Sequence, residues 1–122
     1  MNGVRAFLCD DVPDLRLLFR LVLEERGVEI VGEAGDGQAG VDGAAELRPD
    51  VILLDLAMPI MDGLQAIPLI RERSPDTKII VLSGFGDGPA AESARALGID
   101  RFVDKSSSLD AIAAAVLEVV AA

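Results

Sequence analysis

Three carboxylates, a hydroxyl and an ammonium group stand at the ends of short, mostly apolar runs in this 122-residue sequence. Asp10 and Asp11 follow Ala6-Phe7-Leu8-Cys9, Asp55 follows Val51-Ile52-Leu53-Leu54, Ser83 follows Ile79-Ile80-Val81-Leu82, and Lys105 follows Phe102-Val103-Asp104. Taken singly, an aspartate at such a place is a turn or helix cap, and a serine there satisfies backbone. Taken together they suit phosphoryl chemistry. Carboxylates that lie close repel, and one takes up a proton unless cations balance them. Lys105 supplies one positive charge. A hard divalent cation with oxygen ligands removes the excess, and Mg²⁺ (or Mn²⁺) held by one or two carboxylates plus phosphate is a common arrangement. Phosphoryl transfer asks mainly for positioning and charge neutralisation, so Asp55 is read as a nucleophile that accepts a phosphoryl group. With no histidine in the chain, any phosphohistidine must belong to a partner.

The elements that place these groups can be read from pattern. Apolar runs bounded by turn residues predict strands at Arg5–Cys9, Val28–Ala34, Val51–Asp55, Lys78–Ser83 and Arg101–Asp104; Val51–Leu54 has the continuous apolar character of a strand buried on both faces. Helices are predicted between them. The first starts near Pro13 and reaches about Arg26, with Leu15, Leu18, Val22, Leu17 and Leu21 as a broad apolar face and Gly27 as its stop. A second covers about Gln38–Leu47, although Gly40 and Gly43 each cost about 1 kcal/mol against alanine there. Asp62 caps the third, with Gln65 in the capping-box position, and Pro68 inside it predicts a kink before Arg73. Gly84–Pro89 reads as loop, followed by a short helix at about Ala90–Leu97. Ser107 or Ser108 caps a last helix reaching about Val120. Alternating strands and helices with short links give one α/β domain over residues 1–122, a doubly wound, five-stranded parallel sheet. In such sheets ligands sit at the carboxyl ends of the strands, which is where all five groups fall.

Composition narrows the function. Apolar content is 51% and charged content 26%, as in globular domains, and with 3% aromatics the core is aliphatic. The net charge of −10 argues against direct nucleic-acid contact, which needs clustered Lys and Arg. No run approaches the roughly 20 apolar residues of a membrane span, and the amino end lacks a signal-peptide pattern. A single cysteine, Cys9, excludes an intrachain disulfide, fits a reducing cytoplasm and reads as core filling. Lys105 is one of two lysines against nine arginines, as though this position wants a compact ammonium.

Asp10-Asp11, the run Asp55-Leu56-Ala57-Met58-Pro59-Ile60-Met61-Asp62-Gly63, Ser83 and Lys105 closely resemble the receiver domains of bacterial two-component response regulators, and the resemblance spans the chain. It implies a flavodoxin-like sheet in the order 2-1-3-4-5 and a phosphorylation-dependent signalling switch rather than an enzyme acting on separate substrates. Position by position, it implies that Asp55 is the phosphoacceptor. Asp11, Asp55 and the Ala57 carbonyl would bind Mg²⁺ directly, and Asp10 through water. Lys105 would pair with phosphoryl oxygens. Ser83 would hydrogen-bond the phosphoryl group, and Phe102 would turn inward in response. The implied partners are a sensor histidine kinase or histidine phosphotransfer protein and an output protein or domain, met through the face around the fourth helix, fifth strand and fifth helix, which also allows a homodimer.

Some positions depart from the family pattern. Ser106 replaces the proline that commonly follows the lysine, so a trans bond is expected there. Ala57 and Phe85 stand where polar groups are frequent, from which a longer-lived phosphoaspartate is expected. Two other readings compete. An aspartate-based phosphatase of the haloacid dehalogenase type wants a second aspartate two residues after the nucleophile, and Ala57 stands there. A phosphorylation-independent adaptor with the same fold usually lacks an acidic residue or the lysine, and here all are kept.

Overall fold

The computed structural model describes residues 3–84 and 88–122. Its strands are β1 (Arg5–Cys9), β2 (Glu29–Ala34), β3 (Val51–Asp55), β4 (Lys78–Ser83) and β5 (Arg101–Asp104). Its helices are α1 (Pro13–Glu25), α2 (Gly37–Leu47), α3 (Gly63–Arg73), α4 (Pro89–Ala96) and α5 (Leu109–Ala121). All neighbouring strands pair in parallel, in the order β2-β1-β3-β4-β5. The expected doubly wound, flavodoxin-like sheet is therefore present.

Strand side chains alternate between two cores. Ala6, Leu8, Val51, Leu53, Ile80 and Leu82 face α1 and α5, where Phe19, Leu23, Ile112 and Val116 meet them. Phe7, Cys9, Ile52, Leu54, Ile79 and Val81 face the other way, against Val41, Ala44, Ile67 and Ile70. Every residue of β3 is buried, as a strand covered on both faces requires.

The helix ends follow local chemistry. The Asp36 side chain accepts from Ala39 N–H at 2.8 Å and starts α2 at Gly37, one residue before the sequence expectation. Asp62 and Gln65 form a reciprocal capping box on α3 at 2.8 and 3.1 Å. Ser108, rather than Ser107, caps α5 by accepting from Ala111 N–H at 3.1 Å. Pro89, expected in the loop, is instead the first residue of α4, where its missing N–H is no loss. The remainder of that expected loop includes Phe85–Asp87, which lie outside the described residues. The α3 helix continues through Pro68 to Arg73, and no described peptide bond is cis, that before Ser106 included.

Two sequence expectations change. The broad apolar face of α1 is only partly used. Phe19 and Leu23 are buried and Leu15 and Val22 pack partly, whereas Leu17, Leu18 and Leu21 are 54%, 43% and 57% exposed. One helix stripe suffices to cover the sheet, and these three leucines point away from it. The glycines of α2 have a packing role. A Cβ on Gly40 would come within 2.6 Å of Cys9 Sγ, and one on Gly43 would overlap the buried Phe7 ring. Their bare backbone lets α2 lie close on β1, which offsets their poor helix propensity.

Candidate functional site

The sheet order reverses between β1 and β3, so the crevice at their carboxyl ends is the switch point where doubly wound sheets take ligands. Asp10 is the first residue beyond β1, and Asp55 is the last of β3. Both are nearly sealed, at 3% and 5% exposure. Asp11, next along the loop, is exposed. Carboxylate oxygens of the three lie within 4.8 Å of one another.

Lys105 lies one residue beyond β5 and reaches back over two strands. Its Nζ is 2.8 Å from Asp10 Oδ2 and 3.2 Å from Asp55 Oδ2. Its backbone N–H donates to the Ser83 carbonyl at 3.0 Å, which ties the lysine loop to the end of β4. Ser83 is buried at that end, opposite Asp104 in the strand register. The site thus gathers Asp10, Asp11, Asp55, Ser83 and Lys105 from the carboxyl ends of four strands.

Loop backbone fixes the carboxylates. Val12 N–H donates to Asp10 Oδ1 at 2.9 Å, and the Asp10 carbonyl accepts from the Arg16 guanidinium at 2.6 Å. Ala57 N–H reaches Asp55 Oδ1 at 3.4 Å. The loop after Asp55 closes on itself: Gly63 N–H donates to the Leu56 carbonyl at 2.9 Å, and Gly37 N–H to the Met61 carbonyl at 2.8 Å. A Cβ on Gly63 would strike the Asp55 carbonyl oxygen and Leu56 Cα, so a larger residue would push the loop off its strand. Ile60 within this loop has φ = 69° and is 83% exposed. A β-branched residue there carries backbone strain of about 1–2 kcal/mol. Nothing in the sequence pattern announced it.

The electrostatics follow from burial. Desolvation pushes the Asp55 carboxyl above the usual aspartate range; the Lys105 ammonium counters this, and the Asp10 charge adds to it. Burial works against the charge on Lys105 as well, but its contacts with Asp10 and Asp55 outweigh that and hold its pKa above the ordinary value. One ammonium therefore leaves the charge of the group incompletely balanced. Three carboxylates with one open to solvent form a hard-oxygen set that could hold a divalent cation. Cys9, beneath the site, is pushed up to about 12 by burial and by the nearby Asp36, Asp10 and Asp55 charges, and so remains a thiol.

Phe102 is half-buried on β5 among Val81-side core residues, with the Arg95 guanidinium 5.1 Å above its ring. Ala57 is exposed at the mouth of the site. Phe85 lies outside the described residues.

The fold and this edge define a class: a doubly wound α/β domain with an acidic pocket and one lysine at its switch point. The family model for the response regulator receiver domain matches residues 6–117, and the chain belongs to that family. It is 34% identical over 103 residues to the chemotaxis protein CheY of Thermotoga maritima, covering 84% of this chain and 86% of CheY. It is 40% identical over 114 residues to the transcriptional regulatory protein LiaR of Bacillus subtilis, covering 93% of this chain but 54% of LiaR. It spans only 26% of a protein-glutamate methylesterase/protein-glutamine glutaminase from Hahella chejuensis, at 38% identity over 92 residues. Among solved structures, the signal receiver domain of the response regulator NarL from Mycobacterium tuberculosis superposes with a TM-score of 0.91 at 35% identity, covering 99% of this chain and 98% of that one. No described helix is long and apolar enough to cross a membrane.

Proposed function

We propose that this chain is a signalling switch that takes a phosphoryl group on Asp55 from a phosphohistidine of a sensor histidine kinase or histidine phosphotransfer protein. The observation that carries the reading is the Lys105 ammonium, poised between Asp10 and Asp55 at 2.8 and 3.2 Å beside the exposed Asp11. In the transfer, an Asp55 oxygen forms a P–O bond as the donor's P–N bond breaks, and the bonding pair returns to the imidazole nitrogen. Asp10, Asp11, Asp55 and the Ala57 carbonyl are the groups that would hold Mg²⁺ (or Mn²⁺), which when bound neutralises charge on the phosphoryl oxygens.

Lys105 pairs with the phosphoryl group once Asp55 carries it as an acyl phosphate, and Ser83 hydrogen-bonds it from the end of β4. Phe102 then shifts, and the α4–β5–α5 surface changes its fit to an output protein or domain, or to a second copy. The shift is set by the difference in how well the two packings bind the phosphoryl group. Phosphorylation at this site makes the chain a regulated protein rather than an enzyme with its own separate substrate, and cytoplasmic signalling fits its chemistry. Ala57 at the mouth leaves the hydrolytic water poorly positioned, which favours a long-lived phosphoaspartate. The phosphoryl lifetime of Ala57→Asn is expected to be no longer than that of the wild type; a clear lengthening contradicts this.

Thermal melting tests the binding site directly. With Mg²⁺ and beryllofluoride, a phosphoryl mimic, together, the wild-type Tm rises by mass action. The rise with both components exceeds that with Mg²⁺ alone, and this further rise is lost in Asp55→Asn and in Lys105→Ala. An equal rise in Asp55→Asn, or none in the wild type, overturns the proposal. The phosphorylation-independent adaptor would instead bind its partner unchanged after Asp55→Asn.

A further inference from the structure

We infer that Arg16 is a positioning residue for the divalent cation: its guanidinium, oriented by Glu33, clamps the peptide between Asp10 and Asp11 and so sets the Asp11 carboxylate for the metal. The inference rests on the reading of Asp10, Asp11 and Asp55 as the metal site. Arg16 lies in the first turn of α1, where the Leu15 and Arg16 N–H groups donate to the Val12 carbonyl at 3.1 and 3.2 Å. From there its Nη1 donates to the Asp10 carbonyl at 2.6 Å, and its Nε to Glu33 Oε1 on β2 at 3.0 Å. Two donors of one rigid plane hold two acceptors at once, which an ammonium on a flexible stem does not reproduce. Glu33 stays a carboxylate. Burial works against its charge, but hydrogen bonds from Arg20 and Arg16 outweigh that and hold its pKa below the ordinary value.

The two aspartates depend on this clamp unequally. Asp10 has anchors of its own: its N–H donates to the Ala34 carbonyl at 3.0 Å, its Oδ1 accepts from Val12 N–H at 2.9 Å, and Lys105 Nζ stands 2.8 Å from its Oδ2. The Asp11 side chain is exposed and has no such anchor among the described residues, so its place follows from its backbone. A peptide unit is planar, so the guanidinium that holds the Asp10 carbonyl oxygen also holds the Asp11 N–H and Cα. A plain link between helix and strand does not account for Arg16. Arg20 Nε already ties α1 to Glu33 Oε2 at 2.9 Å, and among the described residues it makes no bond to the Asp10 loop. Groups that orient metal ligands from outside change metal affinity by about tenfold or more.

Mn²⁺ binding, with the free ion counted by electron paramagnetic resonance, tests this on the wild type, Arg16→Gln, Arg20→Gln and Asp11→Ala. Charge and positioning predict opposite signs. Removing a cation near three carboxylates strengthens their hold on a metal ion, whereas releasing the peptide weakens it. The expected result is an Mn²⁺ dissociation constant raised about tenfold in Arg16→Gln and not raised in Arg20→Gln. Labelling of Arg16→Gln by acetyl phosphate then needs about tenfold more metal to reach half its own plateau. Denaturant melts check that each variant folds; if Arg16→Gln does not unfold cooperatively, Arg16→Lys is read in its place, with the same direction expected. Unchanged or tighter Mn²⁺ binding in the Arg16 variant overturns the inference, as does an equal weakening in Arg20→Gln. Binding that Asp11→Ala leaves as strong as in the wild type overturns the metal reading itself, and this inference with it.

Discussion

At the scale of the residue, the site is a problem of charge in a confined place. Asp55 is driven above its ordinary range chiefly by burial. A raised carboxylate binds protons more tightly in the folded chain than in the unfolded one, so its stabilising effect is complete below the unfolded pKa and is lost as pH rises through the folded value. At neutral pH, without metal, an ionised Asp55 therefore costs stability. Asp55→Asn is expected to raise the metal-free Tm at pH 7 and to lose that advantage as the pH falls towards 4, near the ordinary aspartate value. A variant less stable than the wild type at pH 7 would mean that the Lys105 pair outweighs the burial. The five residues of this centre were legible in the sequence because each follows an apolar run, and runs of that kind bring their ends to one edge. The Ile60 backbone was not legible. The turn that sets it is closed by Met61 N–H on the Pro59 carbonyl and held by Gly37 N–H on the Met61 carbonyl, and this second partner lies too far along the chain for a local pattern to record it.

At the scale of the element, strands were easier to read than helices. Buried parallel strands announce themselves as continuous apolar runs, and all five strand positions matched within one residue. Helix α2 was obscured by Gly40 and Gly43, whose reason is tertiary: both are shaved to fit Cys9 and Phe7 on β1. Gly43→Ala makes the point testable. Helix propensity alone predicts a gain of about 1 kcal/mol, whereas the overlap with a 3% exposed Phe7 ring predicts a net loss of about 1–3 kcal/mol. Urea unfolding decides between them, and a more stable Gly43→Ala would show that α2 can lift off β1 freely. On α1 the apolar count overstated burial. Leu18, Leu21 and Val22 instead line an open groove of about 470 Å³ with Leu109 at the start of α5, since sequence cannot tell a core face from an apolar face left to solvent.

At the scale of the whole molecule, the chain places a rigid two-core sheet behind a site whose charge is unfinished. The sheet order, the cap at Asp62, the glycine at 63 and the reach of Lys105 all converge on Asp55. Relatives that match this domain range from CheY, of which it spans 86%, to a methylesterase/glutaminase of which it spans 26%, so the same domain occurs in proteins of very different length. The most direct test is the intact mass after incubation with Mg²⁺ and acetyl phosphate, run beside Asp55→Asn and an EDTA-treated sample. One phosphoryl adduct is expected on the wild type, absent with EDTA and absent in Asp55→Asn. No adduct under conditions that label a control receiver, or an equal adduct on Asp55→Asn, would contradict it.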